Sequence, residues 1–257
     1  KVDGKTLFDE FSRGRYSTDA SVYQIKPLGV VLPKDTNDVL SLMEYSQKNS
    51  VPLLARGGGS SQCGQTVGES VVLDYSKHQN KILELNVEEK YVWVQPGVVL
   101  DHLNAYLKPH GLWFPVDVST SSRATIGGMS ANNSCGSRSL YYGNMVHNVL
   151  AIEAILDDGS IFNFDQINKN YLATKNNQDR LYKIIDKFID VRQQVGGEID
   201  ANWPTTQRRV GGYNIDLIDP EGFNSSNLLV GSEGTLSLFN KIKLKLSEIP
   251  KNKILGV

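Results

Sequence analysis

Val30-Val31-Leu32 is a short β-rich run closed by Pro33. Asp35 and Thr36 then offer N-cap oxygens, and Val39, Leu42, Met43 and Tyr45 recur at helical spacing. Val51–Ala55 is a second buried-looking run, and Val71–Asp74 a third, with a glycine-rich stretch between them. Strand, helix, strand in this length is a βαβ unit, which predicts parallel pairing of its two strands. A small α/β lobe is expected over roughly residues 20–80, or 1–80 with the N-terminal residues included.

The pattern changes after residue 81. Ile82–Leu85 and Tyr91–Val94 are short β-rich runs joined by Asn86–Lys90, which predicts an antiparallel pair. Val99, Leu103, Tyr106 and Leu107 share a helical face that Pro109 and Gly111 end. Ala151–Leu156 and Ser160–Phe164 flank Asp158-Gly159, a two-residue hairpin signal. Leu181, Ile184, Ile185, Phe188 and Val191 mark a helix, expected to close at Gly196-Gly197. Leu228–Val230 and Leu236–Leu246 read as late strands. The second sets Ile242, Leu244 and Leu246 against Lys241, Lys243 and Lys245, the look of a half-exposed edge. Residues 81–250 therefore read as α+β around an antiparallel sheet.

Composition narrows the function classes. Lys plus Arg is 27 and Asp plus Glu 28 in 257 residues, so the basic excess of a general nucleic-acid binder is missing. No run of about 18 apolar residues reads as a transmembrane helix. Lys1–Glu10 has no apolar h-region, and no signal peptide is expected. The two cysteines, Cys63 and Cys135, are far apart, which excludes a disulfide framework and a cysteine-ligated zinc site and suggests a reducing, cytoplasmic setting. His78, His102, His110 and His147 show no metal-ligand spacing, so no metal is expected. Gly4-Lys5-Thr6 matches the tail of a P-loop by chance, and Asn132-Asn133-Ser134 and Asn224-Ser225-Ser226 are sequons by pattern only. The chain starts without Met and stops soon after Ile254-Leu255, which suggests a piece of something longer.

Glycine changes the picture more. The 23 glycines concentrate in Arg56–Gly68, Thr125–Gly143 and Gly211–Gly234. Arg56-Gly57-Gly58-Gly59-Ser60-Ser61-Gln62-Cys63-Gly64 follows directly on a strand. Consecutive glycines let a backbone turn sharply and present unhindered N–H groups, which is how a nest for phosphate oxygens is built. Ser60, Ser61 and Gln62 add side-chain donors and Arg56 a charge; the alternative is a tight turn with a solvated arginine. Thr125–Arg138 is almost all small and amide-bearing residues, with no acid and one base, as for a loop packed on something polar. Gly231-Ser232-Glu233-Gly234-Thr235 is a third loop. Three such loops on different elements point to one long ligand touched from several sides. The Rossmann fingerprint GxGxxG is not present.

Four runs in this order and spacing carry a resemblance: Arg-Gly-Gly-Gly-Ser-Ser (56–61), Phe-Pro-Val-Asp-Val-Ser (114–119), Ala-Thr-Ile-Gly-Gly-Met (124–129) and Gly-Ser-Glu-Gly-Thr-Leu (231–236). Thr18–Tyr23 and Gly211–Asp216 point the same way. Over roughly residues 15–250 the chain resembles the PCMH-type FAD-binding domain of the vanillyl-alcohol oxidase/p-cresol methylhydroxylase superfamily. Within it the chain is most similar to the D-lactate, glycolate and D-2-hydroxyglutarate dehydrogenase branch.

The resemblance implies an α+β fold with FAD extended between a small α/β lobe and a larger lobe of antiparallel sheet and surrounding helices. Residues 251–257 would begin a C-terminal cap domain that holds much of the substrate pocket. By similarity, Arg56, Gly57, Gly58, Gly59, Ser60, Ser61, Gln62 and Gly64 cradle the pyrophosphate. Pro115, Asp117, Ser119, Thr125, Gly127, Gly128, Asn132, Gly136 and Ser137 line the FAD, Tyr142, Gly143 and Val149 lie near it, and Glu233 and Gly234 close one end. Some relatives attach FAD through a histidine in the first loop; this loop has none, so the cofactor is expected to be non-covalent. Arg208, Arg209 and Tyr213 are candidate substrate contacts, a guanidinium suiting a carboxylate; a solvated arginine pair on a loop is the alternative.

The implied activity is hydride transfer from a D-2-hydroxy acid to FAD, with an unspecified electron acceptor and a catalytic base the sequence does not identify. An alcohol or sugar oxidase, a reductase of the same superfamily, or a flavin-binding module without turnover are the rival readings. The implied setting is cytoplasmic, or peripheral to the inner membrane through segments outside this chain.

Overall fold

The computed structural model describes residues 2–168, 170–171 and 179–252. Strand β1 (Lys5–Leu7) leads through helix α1 (Glu10–Arg15) to β2 (Gly29–Leu32), with which it pairs antiparallel. Helix α2 (Thr36–Asn49) starts where the Asp35 carboxylate accepts the Asn37 and Asp38 amides, the predicted N-cap. Strands β3 (Leu53–Arg56) and β4 (Val71–Asp74) complete a sheet in the order β1-β2-β4-β3. The two strands of the βαβ unit are parallel but not neighbours, because β4 inserts between them and pairs with both. All four β4 residues are buried whereas those of β3 are half-buried, so the more continuous apolar run takes the centre. Tyr45 is 55 % exposed and off the α2 stripe. It lies six residues past Val39, about 240° round the helix.

The larger sheet has the order β5-β6-β12-β8-β9, antiparallel throughout. Along the chain come β5 (Ile82–Asn86), β6 (Tyr91–Val94), α3 (Leu100–Leu107), β7 (Leu112–Trp113), α4 (Ile126–Ala131), α5 (Ser139–Tyr142) and α6 (Met145–Asn148). Then follow β8 (Val149–Ile155), β9 (Ile161–Phe164), β10 (Gln166–Asn168), α7 (Arg180–Asn202), β11 (Gly222–Asn224), β12 (Leu238–Lys245) and β13 (Ser247–Glu248).

Three expectations fail here. Helix α7 runs through Gly196-Gly197, because Ile199 beyond them is again buried and supports another turn. It ends at Asn202, and Trp203 turns extended before Pro204, as a residue preceding proline must. Leu228–Val230 is no strand: the Asn224 side chain accepts the Ser226 amide and starts a 3₁₀ turn over Ser225–Leu228. Strand β12 is central, not an edge. Its lysine face is only partly covered, Lys241 and Lys243 being half-buried and Lys245 exposed; Lys241 meets Glu153 there and Lys243 lies over the Tyr91 ring.

The main core lies under the larger sheet, where α3 supplies Leu100, Leu103 and Leu107 and α7 supplies Leu181, Ile185 and Ile189. A second cluster joins the sheets: Ile155 and Leu238 of the larger pack on Val31, Val39, Leu42 and Met43 of the smaller. Residues 253–257, most of the expected start of a cap domain, lie outside the described residues. Among the described residues no helix is long and apolar enough to cross a membrane.

Candidate cofactor site

A cleft of about 800 Å³ opens between the two sheets. That is near the top of the usual ligand-pocket range, roughly 300–1,000 Å³. One wall is β3 with the loop after it, the opposite wall residues 117–120 and 124–137, and Glu233–Phe239 closes the third side.

The loop after β3 is docked on the other wall. A Cβ at Gly58 would lie 2.3 Å from the Arg123 carbonyl oxygen, so only glycine allows this approach. Gly59 has φ +63° and curls the chain back over the Arg56 guanidinium. Among the described residues the backbone N–H groups of Gly58, Gly59, Ser60, Ser61 and Gln62 donate to no protein acceptor. Helix α4 contributes differently. Its first amides are already used, Ile126 by the Val98 carbonyl, Gly127 by Pro96 and Gly128 by the Thr125 hydroxyl. The first glycine loop therefore gives the cleft a run of five consecutive free amides.

Arg56 does not face the cleft as a free charge. Its Nη1 donates to the carbonyls of Tyr16 (3.3 Å) and Thr66 (3.0 Å), and its Nη2 to Thr18 (2.8 Å). Burial pulls the guanidinium below its ordinary value, opposed by the nearby Asp19 and Asp74 carboxylates. Behind it, burial and the 2.6 Å bond to Asp74 push the Tyr16 hydroxyl well up.

The two acids of the lining are engaged by protein donors. The Asp117 carboxylate accepts the Arg138 amide at 3.0 Å and the Ser137 hydroxyl at 2.9 Å. Glu233, at φ +53°, accepts from Asn132 Nδ2 at 2.8 Å and from Gln65 Nε2 at 3.5 Å, joining all three glycine loops. A long cleft with free amides and occupied carboxylates suits an extended anionic ligand such as a dinucleotide.

The FAD binding domain family matches residues 27–165, more than half of the chain. The chain belongs to that family. Its cofactor is FAD, and the donor set just described fits the phosphates of that group.

The chain is 35% identical over 252 residues to the D-2-hydroxyglutarate dehydrogenase of Haemophilus influenzae, covering 93% of this chain and 24% of the relative. It is 36% identical to that of Pseudomonas putida, over 98% of this chain and 26% of the relative. It is 30% identical to the glycolate oxidase subunit GlcD of Bacillus subtilis, over 98% and 44%. The chain thus spans about a quarter of the length of the D-2-hydroxyglutarate dehydrogenases it matches. In fold it is similar to an alkyldihydroxyacetonephosphate synthase, with a TM-score of 0.67 at 19% identity, over 96% of this chain and 38% of that one.

Most of the residues expected at FAD line this cleft: Arg56 to Gln62, Asp117, Ser119, Thr125, Gly127, Gly128, Asn132, Gly136, Ser137, Glu233 and Gly234. Five do not. Gly64 lies under the Tyr23 ring, and Pro115 is buried between Phe114 and Val116. Tyr142 packs edge-on against Trp113 at 5.6 Å, Gly143 caps α5 beside His147, and Val149 is core at the start of β8.

The candidate substrate residues sit outside the cleft. Arg208 Nη1 donates to the Gly136 carbonyl at 3.1 Å, and the Tyr213 hydroxyl pairs with that of Thr235 at 2.8 Å. Arg209 is not solvated: it pairs with Asp216 at 2.5 Å, lies on the Trp203 ring and lines a separate hollow of about 190 Å³ with Asn144 and His147.

Sequence reasoning missed the apolar part of the lining, made by Leu53, Leu54, Ala55, Pro96, Leu238 and Phe239. These are most of β3, the start of β12 and a proline, contributed by both sheets, and no local pattern marks them. Both cysteines also line the cleft, on different walls.

Proposed function

We propose that FAD lies non-covalently in this cleft, its pyrophosphate against the amides of Gly58–Gln62. We further propose that the chain is the FAD-binding part of a longer enzyme that oxidises a D-2-hydroxy acid. The observation that carries the activity is the likeness to D-2-hydroxyglutarate dehydrogenases, near 35% identity over almost the whole chain. The loop 56–64 holds no histidine, which supports the non-covalent mode.

When bound, FAD supplies the acceptor for a hydride from the hydroxyl-bearing carbon. This chain's residues bind and orient it. The first loop holds charge through fixed backbone dipoles, the Ser60 and Ser119 hydroxyls offer polar contacts along the walls, and the apolar residues of β3 and β12 exclude water from a ring system. Arg208, which reaches the cleft wall through the Gly136 carbonyl, is the proposed partner of a substrate carboxylate. Among the described residues the lining has no histidine or lysine, and its two acids are engaged, so the base that takes the hydroxyl proton comes from the remainder of the longer chain. That remainder also provides the cap over the substrate and the route to an electron acceptor. The proposed setting is cytoplasmic, or peripheral to the inner membrane.

The test has two stages. The purified chain should show flavin absorption bands, and acid precipitation should release FAD to the supernatant. The full-length protein should then lose its flavin absorbance anaerobically on addition of D-2-hydroxyglutarate, D-lactate or glycolate. A colourless chain that fails to take up FAD overturns the cofactor site; a flavin that none of these acids bleaches overturns the activity.

A further inference from the structure

The family match begins at residue 27, yet the donor-bearing loop of the cleft is held from behind by residues before it. The Arg56 guanidinium ties the two ends of that loop together through the Thr66 carbonyl, and ties both to the carbonyls of Tyr16 and Thr18. A second bond runs beside it: the Thr66 hydroxyl donates to Asp19 Oδ2 at 2.9 Å. A third contact is steric, the Tyr23 ring lying so close to Gly64 that a Cβ there would sit 2.6 Å from the ring. The segment is itself ordered by the Tyr16–Asp74 bond, the Ile25 amide on the Ser17 carbonyl and the Ser21 amide on Asp19. No residue from 16 to 23 lines the cleft.

We propose that residues Tyr16–Tyr23 are a positioning element of the cofactor site, a brace that selects the loop conformation in which the amides of Gly58–Gln62 converge. This rests on the reading of the cleft as the FAD site. If the loop is competent only when braced, apparent FAD affinity scales with the braced fraction. By linkage, bound FAD must then stabilise the docked segment by the same factor. A merely structural role for the segment does not predict that reciprocity.

Asp19 is the residue to change, since it does not line the cleft and acts on it from behind, through its bond to Thr66 and its charge beside Arg56. In the full chain, Asp19→Ala should weaken FAD binding about five- to tenfold by fluorescence titration, the lower part of the range for coupled sites. Asp19→Asn, which keeps an acceptor, should recover part of the loss. In the double variant with Thr66→Val the effect of Asp19→Ala should shrink, since both remove one bond. Hydrogen exchange of the wild type should slow at residues 16–25 when FAD is added. FAD binding with unchanged affinity in Asp19→Ala, or exchange at 16–25 that ignores FAD, overturns the brace while leaving the cleft assignment intact. A wild-type chain that binds no FAD overturns the cleft assignment, and the brace with it.

Discussion

An alanine at Gly58 places its Cβ 2.3 Å from the Arg123 carbonyl oxygen and 3.0 Å from the carbonyl carbon. A comfortable contact is roughly 3.5 Å, so about 1 Å of separation is needed. Both partners are backbone, and no side chain can swing aside. Overpacking of this kind costs about 1–3 kcal/mol. The cost can fall in two places. If the walls stay docked, the apo chain loses that much stability. If they part, the amides of Gly58–Gln62 move away from one another and FAD binding weakens, by about 5- to 150-fold for the same energy. Urea unfolding of the apo chain and a fluorescence titration with FAD measure the two shares, whose sum should fall in the stated range. Valine should exceed alanine. Gly58→Ala with unfolding and FAD affinity both within about 0.5 kcal/mol of wild type, the scatter of ordinary surface changes, would refute the docking of loop on wall. The Cβ points at Arg123, so the effect comes from the docking of loop on wall.

Further outcomes follow from single sites. Asp38 is 4 % exposed and its carboxylate accepts the amides of Asp3 (2.7 Å), Gly4 (2.8 Å) and Lys34 (2.7 Å). Asp38→Ala should cost about 3 kcal/mol in guanidinium unfolding, and a loss below about 1 kcal/mol would sink this account. Gly197 lies mid-helix in α7 with open space at its Cβ position. Gly197→Ala should stabilise by about 0.5–1 kcal/mol, a melting point higher by a degree or more, and a lower melting point would count against it. Burial, aided by Arg209 and opposed by Asp216, holds the His147 imidazole below its ordinary value, and its Nδ1 accepts the Asn144 amide at 3.0 Å, which requires the neutral ring. The unfolded chain therefore takes up this proton first as pH falls. The stability tied to it is complete above about pH 6.5 and is lost as pH drops towards the folded-state value. His147→Gln should flatten that part of the stability–pH curve between about pH 7 and 5, and parallel curves for the two proteins would remove the assignment.

Local patterns in the chain marked the strands at Val30–Leu32, Val51–Ala55 and Val71–Asp74, the second running two residues early and one short at its end, the cap at Asp35 and the hairpin about Asp158-Gly159, because each rests on contacts within a few residues. The glycine loops also announced themselves, since consecutive glycines among hydroxyl and amide side chains have few other uses than close approach. Which strand sits between which was decided by the tertiary structure: β4 takes the centre of one sheet and β12 that of the other through burial, which depends on all the strands at once. So was the course of α7 through two glycines, upheld by a buried Ile199 beyond them. Arg56 shows the division most clearly. Its place in an Arg-Gly-Gly-Gly run suggested a charge for phosphate, and only the folded chain brings the carbonyls of Tyr16, Thr18 and Thr66 to its guanidinium. Buried donors must be satisfied wherever acceptors converge, and that convergence is a property of three-dimensional packing.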